Sequence, residues 1–291
     1  MGNLLNKFGT ERILTIERLW RVLGVPKKVL IHVSKNATDY YDPFVKTIGD
    51  KKRKIANPNK ALKSIQKRII KTILSGVVLP DEIVGARMGS DIKKNALIHR
   101  GQPVVVTVDL RDCFPSTSWK RIFRLFREGF VFSEEVSGIL TNLTTYRWSL
   151  PQGGVTSAAL LNILMIPLCE KIKKILPKAC NLSMWVDDIT FSGECAHLYC
   201  QAVIAELQKF GYRTRSRKIK VMFGNMPQIV TGLVTNSTIS VPKGKIDRYL
   251  RDYRNNGCNE ETTEGRVNHV YFINANQGRR LKRRMGDHLG H

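Results

Sequence analysis

Three acidic residues have the type and spacing that phosphoryl transfer requires. Asp109 ends a Val-rich segment, residues 103–110, that is typical of a buried strand. Asp187 and Asp188 lie between two short apolar segments that are typical of the arms of a hairpin. Nucleotide transfer from a triphosphate uses two divalent cations about 3.5–4 Å apart, held by two or three carboxylates. Because Mg²⁺ prefers oxygen ligands, the three aspartates predict a site for two Mg²⁺ ions.

The hairpin aspartates are not expected to play equal parts. Adjacent residues of a strand point to opposite faces of a sheet, so we expect Asp187 to be the stronger ligand and Asp188 the weaker or bridging one. An Asp-Asp pair is also a common hairpin tip without further function. Apolar residues flank all three aspartates, however, and a carboxylate at the end of a buried strand is costly unless it has a partner. The combination therefore favours a metal site.

The elements that must position these aspartates follow in the order strand, three helices, hairpin and helix. This order predicts an α+β fold in which helices pack on one face of an antiparallel sheet. Residues 51–58 are expected to form a basic hairpin arm and residues 59–74 a helix with one apolar and one lysine-rich face. A further helix begins near residue 156, and Pro167 is expected to kink or end it.

The charge of the chain points to a polyanionic partner. Lys and Arg number 48 against 24 Asp and Glu, which gives a formal net charge of +24. Nucleic acid is the commonest partner of such a protein, and an anionic membrane is the weaker alternative. No stretch has the length of a membrane span, no secretory signal is visible, and the six cysteines form no Cys-x-x-Cys pair. We expect reduced thiols, no membrane association and a cytoplasmic protein.

Three motifs carry a resemblance to a known family. Residues 108–116 read Val-Asp-Leu-Arg-Asp-Cys-Phe-Pro-Ser, residues 150–157 read Leu-Pro-Gln-Gly-Gly-Val-Thr-Ser, and residues 185–192 read Trp-Val-Asp-Asp-Ile-Thr-Phe-Ser. Together, and in this order, they resemble the polymerase motifs of bacterial retron reverse transcriptases. Residues 53–66 are similar to the fingers segment of that family, and the resemblance extends over roughly residues 40 to 245.

Two shorter motifs point to retrons within that family. Residues 95–99 fit the pattern Asn-Ala-x-x-His, and residues 230–232 fit Val-Thr-Gly. Taken alone, Asn95 and His99 could also be a solvated pair on one helix face. The Val-Thr-Gly sequence could likewise be any strand that ends in a turn. The chain also departs from the family, since Trp185, Val186 and Val155 stand where Tyr, Ala and Pro are usual. These departures put the rate of catalysis and the strength of substrate binding in doubt. None of them removes a carboxylate.

The resemblance implies an RNA-directed DNA polymerase with a right-hand fold of fingers, palm and a small C-terminal thumb. We expect an N-terminal helical segment over residues 1–40, fingers and palm over 41–235, and a basic thumb and tail over 236–291. The implied metal ligands are the three aspartates and the carbonyl of Leu110. The implied nucleotide-binding residues grip the triphosphate, line the pocket or exclude a ribose hydroxyl, and they are Lys52, Arg53, Phe114, Gln152, Gly153 and Lys218.

For Phe114 and Lys218 the residues themselves leave other interpretations open. Phe114 fits a core position beside Trp119 as well as a gate against ribose, and Lys218 lies in a basic run, residues 213–220. The expected RNA-binding residues belong to the two short motifs and to a basic helix near the C-terminus. They are Asn95, His99, Val230, Thr231, Gly232, Lys243, Lys245, Arg248 and Arg251, with Arg254 as a further candidate.

The resemblance also implies the partners of the protein. They are deoxynucleoside triphosphates, one structured non-coding RNA, the DNA copied from that RNA, and an effector protein in antiphage defence. Synthesis would begin from a 2′-hydroxyl of the RNA and give branched RNA–DNA. Two alternatives stay open: another bacterial defence or intron-type reverse transcriptase, and a basic RNA-binding protein whose catalysis is weak.

Overall fold

The computed structural model describes residues 12–48, 51–215, 218–255 and 260–286. The helices are α1 Ile16–Leu23, α2 Lys27–Lys35, α3 Lys60–Thr72, α4 Ile92–Ile98, α5 Cys113–Ser116, α6 Trp119–Arg124, α7 Glu134–Thr144, α8 Ser157–Ile175, α9 Cys200–Lys209, α10 Lys243–Arg254, α11 Glu260–Ile273 and α12 Ala275–Gly286. The strands are β1 Tyr41–Ile48, β2 Lys51–Pro58, β3 Val104–Asp109, β4 Asn181–Trp185, β5 Asp188–Ser192, β6 Lys220–Phe223, β7 Ile229–Val230 and β8 Leu233–Val234. None of the helices in these ranges is both long and apolar enough to cross a membrane.

The chain forms two compact units, each built from three segments. The first comprises Met1–Arg87, Leu110–Ile172 and Glu206–Thr214, and the second comprises Met88–Asp109, Lys173–Ala205 and Arg215–His291. The predicted division into an N-terminal segment, fingers with palm, and thumb stays a prediction.

The first unit carries the predicted basic arm. Strand β2 pairs with β1 in an antiparallel hairpin, with Tyr41 opposite Pro58. Helix α3 follows at once because Asn59 caps it, its side chain accepting a hydrogen bond from the amide of Leu62 at 3.1 Å. The apolar face of α3 is buried and its lysines are exposed, as the periodicity predicts.

Two expectations for helices in this part of the chain need correction. Helix α8 runs through Pro167 and ends at Ile175, so Pro167 does not end it. The N-terminal helical segment was expected over residues 1–40, but its first described helix, α1, begins only at Ile16, where Thr15 caps it by accepting from the amide of Arg18. The rest of that expectation, residues 1–11, lies outside the described residues.

A buried glutamine ties α3 to the turn at residues 151–156. Gln66 is fully buried and its amide nitrogen donates to the hydroxyl of Tyr41 at 2.8 Å and to the carbonyl of Leu143 at 2.9 Å. Its amide oxygen accepts from the backbone N–H of Val155 at 3.0 Å. Every one of these bonds joins a different segment of the first unit, so Gln66 fixes the position of the turn.

The second unit is built on a four-stranded antiparallel sheet in the order β4-β5-β3-β6. Strand β3 is central and its Val residues are almost completely buried, as the β-branched run predicts. The expected hairpin is present as β4 and β5. Helices α10, α11 and α12 enclose a separate apolar core with α4 and β8, which includes Leu250, Val270 and Leu281.

The link between Gln66 and Val155 gives a stability prediction. Proline is the usual residue of the family at this place, and a proline has no N–H to donate. We expect Val155→Pro to lower the free energy of unfolding by about 1–3 kcal/mol, because the buried oxygen of Gln66 would lose its donor. Urea unfolding measures the change. Val155→Ala keeps the amide and is the control; equal stability of the two variants would mean that the bond contributes nothing.

Candidate active site

The sheet of the second unit brings two of the three predicted carboxylates together. Asp109 at the end of β3 stands directly opposite Asp188 at the start of β5. Residues directly opposite in an antiparallel pair project from the same face, with Cβ atoms about 4.5–5.5 Å apart. Asp109 is buried and Asp188 is partly exposed, so the pair lies at the margin of the core.

The third carboxylate belongs to a turn and not to a strand. Val186 and Asp187 form the two-residue loop between the paired residues Trp185 and Asp188. Val186 has a φ of 58°, which is rare for a β-branched residue, whereas Asp187 has no positive φ. The alternation argument, which assumed that both hairpin aspartates are strand residues, is therefore wrong in its premise. It is Asp188 that faces Asp109 across the sheet, and the ranking of the two as ligands stays untested.

Basic side chains from the segment after α9 engage the buried carboxylate. The ammonium of Lys218 binds Oδ2 of Asp109, and Nε of Arg215 lies 3.5 Å from Oδ1. The backbone amide of Arg215 also donates to the carbonyl of Asp109 at 3.1 Å. Lys218 was expected near the site from the sequence, whereas Arg215 was not, because its only signal was its place in the basic run of residues 213–220.

The carboxylates repel one another. Burial raises the pKa of Asp188 to about 6, the charges of Asp187 and then Asp109 act in the same direction, and Lys218 opposes them. Close carboxylates with too few compensating cations raise the pKa of one member in this way. A divalent cation at this place would favour the ionised form of Asp188, so its binding would release a proton just below neutral pH.

The donor set suits Mg²⁺, although the side chains are not arranged around a common centre. Among the described residues, no three His, Cys, Asp or Glu side chains are placed to hold a metal as they stand. Oδ1 of Asp109 is buried without a hydrogen bond from that part of the chain, since the contact with Arg215 exceeds hydrogen-bond length. An orphaned buried oxygen, mutually repelling carboxylates and an ammonium on Asp109 together fit a site for divalent cations.

A cleft of about 330 Å³ opens at this pair. Its lining includes both Asp109 and Asp188, the aromatic side chain of Trp185, and the turn formed by Thr231 and Gly232. Thr231 has a φ of 45° and is held there by hydrogen bonds, since its hydroxyl donates to the carbonyl of Ile92 at 3.3 Å. The Val-Thr-Gly motif therefore meets the aspartates in one cleft.

Three residues expected to bind RNA are completely buried. Asn95, His99 and Val230 are all 0 % exposed, so they cannot contact RNA in this structure. Val230 packs against Val105 and Met222 of the sheet. The amide nitrogen of Asn95 donates to the hydroxyl of Thr231 at 3.4 Å, which links the two short motifs to each other.

His99 holds the two strands of the catalytic hairpin. Its Nδ1 lies 2.8 Å from the hydroxyl of Ser192 on β5, and its Nε2 lies 2.8 Å from the hydroxyl of Ser183 on β4. A neutral imidazole offers one donor and one acceptor, so both ring nitrogens are satisfied without charge. Burial lowers the pKa of His99 to about 3, which keeps the ring neutral. Neither serine was singled out from the sequence, because nothing local marks a partner so distant along the chain.

The candidate nucleotide-binding residues, apart from Lys218, lie in the first unit. Lys52 and Arg53 are exposed on β2, Phe114 is half-buried in α5, and Leu110 is buried and bridged to Thr214. Among the described residues, the rings within stacking distance of Trp119 belong to Phe123 and Trp148, so the core position of Phe114 beside Trp119 is not supported.

The turn at Gln152 and Gly153 packs against the basic hairpin. The carbonyl of Gln152 accepts from the amide of Ala56 at 2.8 Å. Gly153 has a φ of 111°, and a Cβ there would lie 2.8 Å from Cγ2 of Ile55 and 3.0 Å from the carbonyl of Ala56. Only glycine fits both the conformation and the space, so its role in this structure is close approach to β2.

The predicted basic helix is α10. Lys243, Arg248 and Arg251 are exposed, and Arg254 is exposed at the end of the helix. Arg248, Arg251 and Arg254 are spaced three residues apart, and three residues of an α-helix turn through about 300°. Successive arginines are therefore displaced by about 60° around the helix. Lys245 is half-buried, with its ammonium 5.8 Å from the ring of Tyr249, and this charge together with burial lowers the pKa of His269. Lys245 is therefore less accessible to RNA than the exposed basic residues of α10.

Comparison with known proteins decides the family. The sequence profile of the reverse transcriptase (RNA-dependent DNA polymerase) family matches residues 44–263. The chain belongs to this family. The α+β fold with an antiparallel sheet, predicted as a right-hand polymerase fold, is confirmed, and so is the resemblance to retron enzymes.

Several relatives of this reverse transcriptase are retron enzymes. It is 31% identical to the Retron Se72 reverse transcriptase of Salmonella heidelberg (strain 579083-10) over 65% of the chain and 50% of that enzyme. It is 27% identical to the Retron Mx65 reverse transcriptase of Myxococcus xanthus over 96% of the chain and 73% of that enzyme. The chain thus spans about half the length of some curated relatives, among them Retron Mx162 reverse transcriptase of the same organism at 48%.

Solved structures support the fold of this reverse transcriptase. The telomerase of Candida albicans, solved with a fragment of telomeric RNA, aligns with a TM-score of 0.50 and 12% identity over 88% of this chain and 58% of the telomerase. An identity this low speaks for the fold alone.

The burial of His99 gives a prediction for acid stability. Its pKa of about 3 in the folded state lies below its ordinary value of 6.5, so between these values the unfolded chain takes up a proton that the folded chain does not. The stabilising contribution is therefore complete above pH 6.5 and falls as the pH drops. We expect a loss on the order of 2 kcal/mol between pH 7 and pH 5, measured by urea unfolding.

His99→Gln should remove this loss, since an amide can bond to both serines without titrating at these pH values. His32→Gln is the matched control, because His32 is exposed on α2 and bears no comparable burial. If His99→Gln loses as much stability in acid as the wild type, the buried ring is not the cause.

Proposed function

We propose that this protein is an RNA-directed DNA polymerase of the retron type. The observation that carries the proposal is the pairing of Asp109 with Asp188 across the sheet, with Asp187 in the adjoining turn, at the floor of one cleft. Membership of the reverse transcriptase family supports the same reaction. A net charge of +24 supports a nucleic-acid substrate.

Two Mg²⁺ ions, when bound by Asp109, Asp187 and Asp188, would stabilise the charge that develops on the attacking and leaving oxygens. The carbonyl of Leu110 remains a candidate further ligand. Lys218, whose ammonium binds Asp109, would bind the leaving pyrophosphate. The protein supplies position and charge, which is what nucleotidyl transfer asks of it.

The first unit would bind the incoming deoxynucleotide. Lys52 and Arg53 are exposed on β2 and suit a triphosphate, because ammonium and guanidinium groups bind phosphate oxygens. The turn of Gln152 and Gly153 is bonded to the base of the same hairpin and would line the pocket. Phe114, half-buried, would exclude a ribose 2′-hydroxyl by overlap.

The exposed basic residues of α10 would bind the template RNA. Lys243, Arg248 and Arg251 present their charges to solvent, and structured RNA is read mainly through phosphates, shape and 2′-hydroxyls. Thr231 and Gly232 would meet the nucleic acid where it enters the cleft. The buried residues Asn95, His99 and Val230 would not touch the RNA. They would instead stabilise the sheet and the turn formed by Thr231 and Gly232.

Neutralising a single catalytic carboxylate tests the polymerase proposal. We expect Asp109→Asn or Asp187→Asn to abolish primer extension on an RNA template with Mg²⁺, and Asp188→Asn to do the same. Binding of RNA should stay within about threefold of wild type, since phosphate contacts elsewhere supply most of the affinity. Asp81→Asn removes the same charge from a fully exposed side chain and is the control. Extension at a near wild-type rate by Asp187→Asn would remove that residue from the metal site.

The retron part of the proposal concerns the partner. The enzyme would hold one structured RNA so that a 2′-hydroxyl reaches the metals, which turns a bimolecular start into a local one. Similarity to several retron reverse transcriptases supports this, and antiphage defence with an effector protein rests on that similarity alone.

Coexpression of the protein with its flanking DNA tests the partner. We expect short single-stranded DNA that stays attached to RNA through a 2′ linkage, detected by its sensitivity to a debranching enzyme. If all DNA is linear and unrelated primed RNAs are copied equally well, the protein is a general reverse transcriptase of another type. If the protein binds RNA but extends no primer, it is an RNA-binding protein.

A further inference from the structure

A tight turn in the first unit presents a tryptophan and an arginine to solvent. Tyr146 and Ser149 exchange two backbone hydrogen bonds of 2.9 Å and 3.2 Å, so Arg147 and Trp148 form a two-residue hairpin loop. Both loop residues have positive φ, 44° for Arg147 and 68° for Trp148. That sign pattern belongs to the turn in which Asn-Gly is strongly preferred. Two bulky residues therefore occupy a conformation that favours small ones.

The loop is firmly attached at its base. The carbonyl of Trp148 accepts from the amide of Trp119 at 2.7 Å, and Ser149 forms a β-bridge with Ser118. The indole N–H of Trp119 donates to the side chain of Asn142 at 2.7 Å, and its ring stacks on Phe123 at 5.0 Å. The surrounding hydrogen bonds and ring contacts therefore hold Arg147 and Trp148 in this strained conformation.

The ring of Trp148 is available to a ligand. Its side chain is 76% exposed, the highest value for an aromatic residue in the described part of the chain. It meets Trp119 edge-on, with ring centroids 6.2 Å apart and an interplanar angle of 65°. An edge contact leaves room on the faces of the exposed ring for a flat partner.

Arg147 adds a positive charge beside this ring. Its guanidinium lies 5.3 Å above the ring of Tyr146, which holds it near the tip of the loop, and it is exposed. Within the described ranges no carboxylate lies at ion-pair distance from it. A flat aromatic face next to a guanidinium suits a nucleotide, whose base stacks and whose phosphate binds the charge.

We propose that Arg147 and Trp148 form a binding site for an unpaired base of single-stranded nucleic acid. This stacking site lies outside the residues assigned to metal, nucleotide and RNA binding above. Single-stranded nucleic acid is favoured over a protein partner because the whole chain is strongly basic and the loop itself is cationic. A duplex does not fit, since its base faces are already stacked.

Because the loop is strained, a double variant that relieves the strain tests the proposal. It should raise thermal stability and lower the affinity for single-stranded RNA. Arg147→Asn with Trp148→Gly installs the residues that the turn prefers, so the melting temperature should rise by about 2–4 °C. Affinity for a fluorescein-labelled oligo(rU), measured by anisotropy without metal or nucleotide, should fall roughly tenfold, as expected for the loss of one stacked base. Affinity for a fully paired RNA duplex should stay within about twofold of Arg100→Ala, which removes one exposed arginine elsewhere.

A second variant keeps the test decisive even if the first folds poorly. Trp148→Phe retains a flat ring, so it should bind oligo(rU) within about threefold of wild type. It should also lose much of the tryptophan quenching that oligo(rU) causes in the wild type, because the emitting ring at the site is gone. Retained binding with reduced quenching would place the base on residue 148.

The proposal is overturned if the double variant binds oligo(rU) within about twofold of wild type, or if Trp148→Phe is quenched as fully as the wild type. Equal losses for oligo(rU) and duplex would also overturn it, because they would reflect charge alone. A surface for a protein partner would give the first of these results. Since the assays use neither metal nor deoxynucleotide, their failure would leave the polymerase proposal untouched.

Discussion

The register of β3 against β5 is the constraint on which the site depends. It sets Asp109 opposite Asp188 at one end of a sheet that is otherwise apolar. Since side chains alternate along a strand, a slip of one residue would turn Asp188 away from its partner. His99 opposes a slip within the hairpin itself, because its two ring nitrogens bind Ser192 on β5 and Ser183 on β4. The buried histidine thus helps to hold the strand on which Asp188 faces Asp109.

Charge is balanced locally and incompletely around these aspartates. Lys218 and Arg215 both reach Asp109, yet Asp188 still has a raised pKa, and Oδ1 of Asp109 lacks a hydrogen bond from the described residues. A site saturated by protein cations would gain little from a metal. The raised pKa of Asp188 comes from burial and from the neighbouring carboxylates, and a bound divalent cation would relieve both effects.

Several residues with positive φ lie in short turns beside the candidate sites, and others, such as Ala86 and Val131, lie elsewhere. Val186 in the catalytic hairpin and Thr231 at the cleft are β-branched residues with positive φ, and Arg147 and Trp148 share a turn that favours Asn-Gly. Each is held by hydrogen bonds or strand pairing on both sides. The free energy that holds them comes from the rigid sheet and helices beneath, which is the usual way in which strained sites persist.

The sequence by itself determined the family, because carboxylates, glycines and aromatic residues at fixed short spacings are local patterns. It also determined the strand ending at Asp109, the basic hairpin and helix α3, whose periodicity is visible within a few residues. Only the tertiary structure decided that Asn95 and His99 are buried, because an Asn-x-x-x-His spacing looks alike on a buried and an exposed helix face. It likewise revealed the roles of Gln66, Ser183 and Arg215, whose partners lie far away in the chain. Hydrogen bonds and ion pairs between distant segments exist only once the chain has folded, and no local pattern records them.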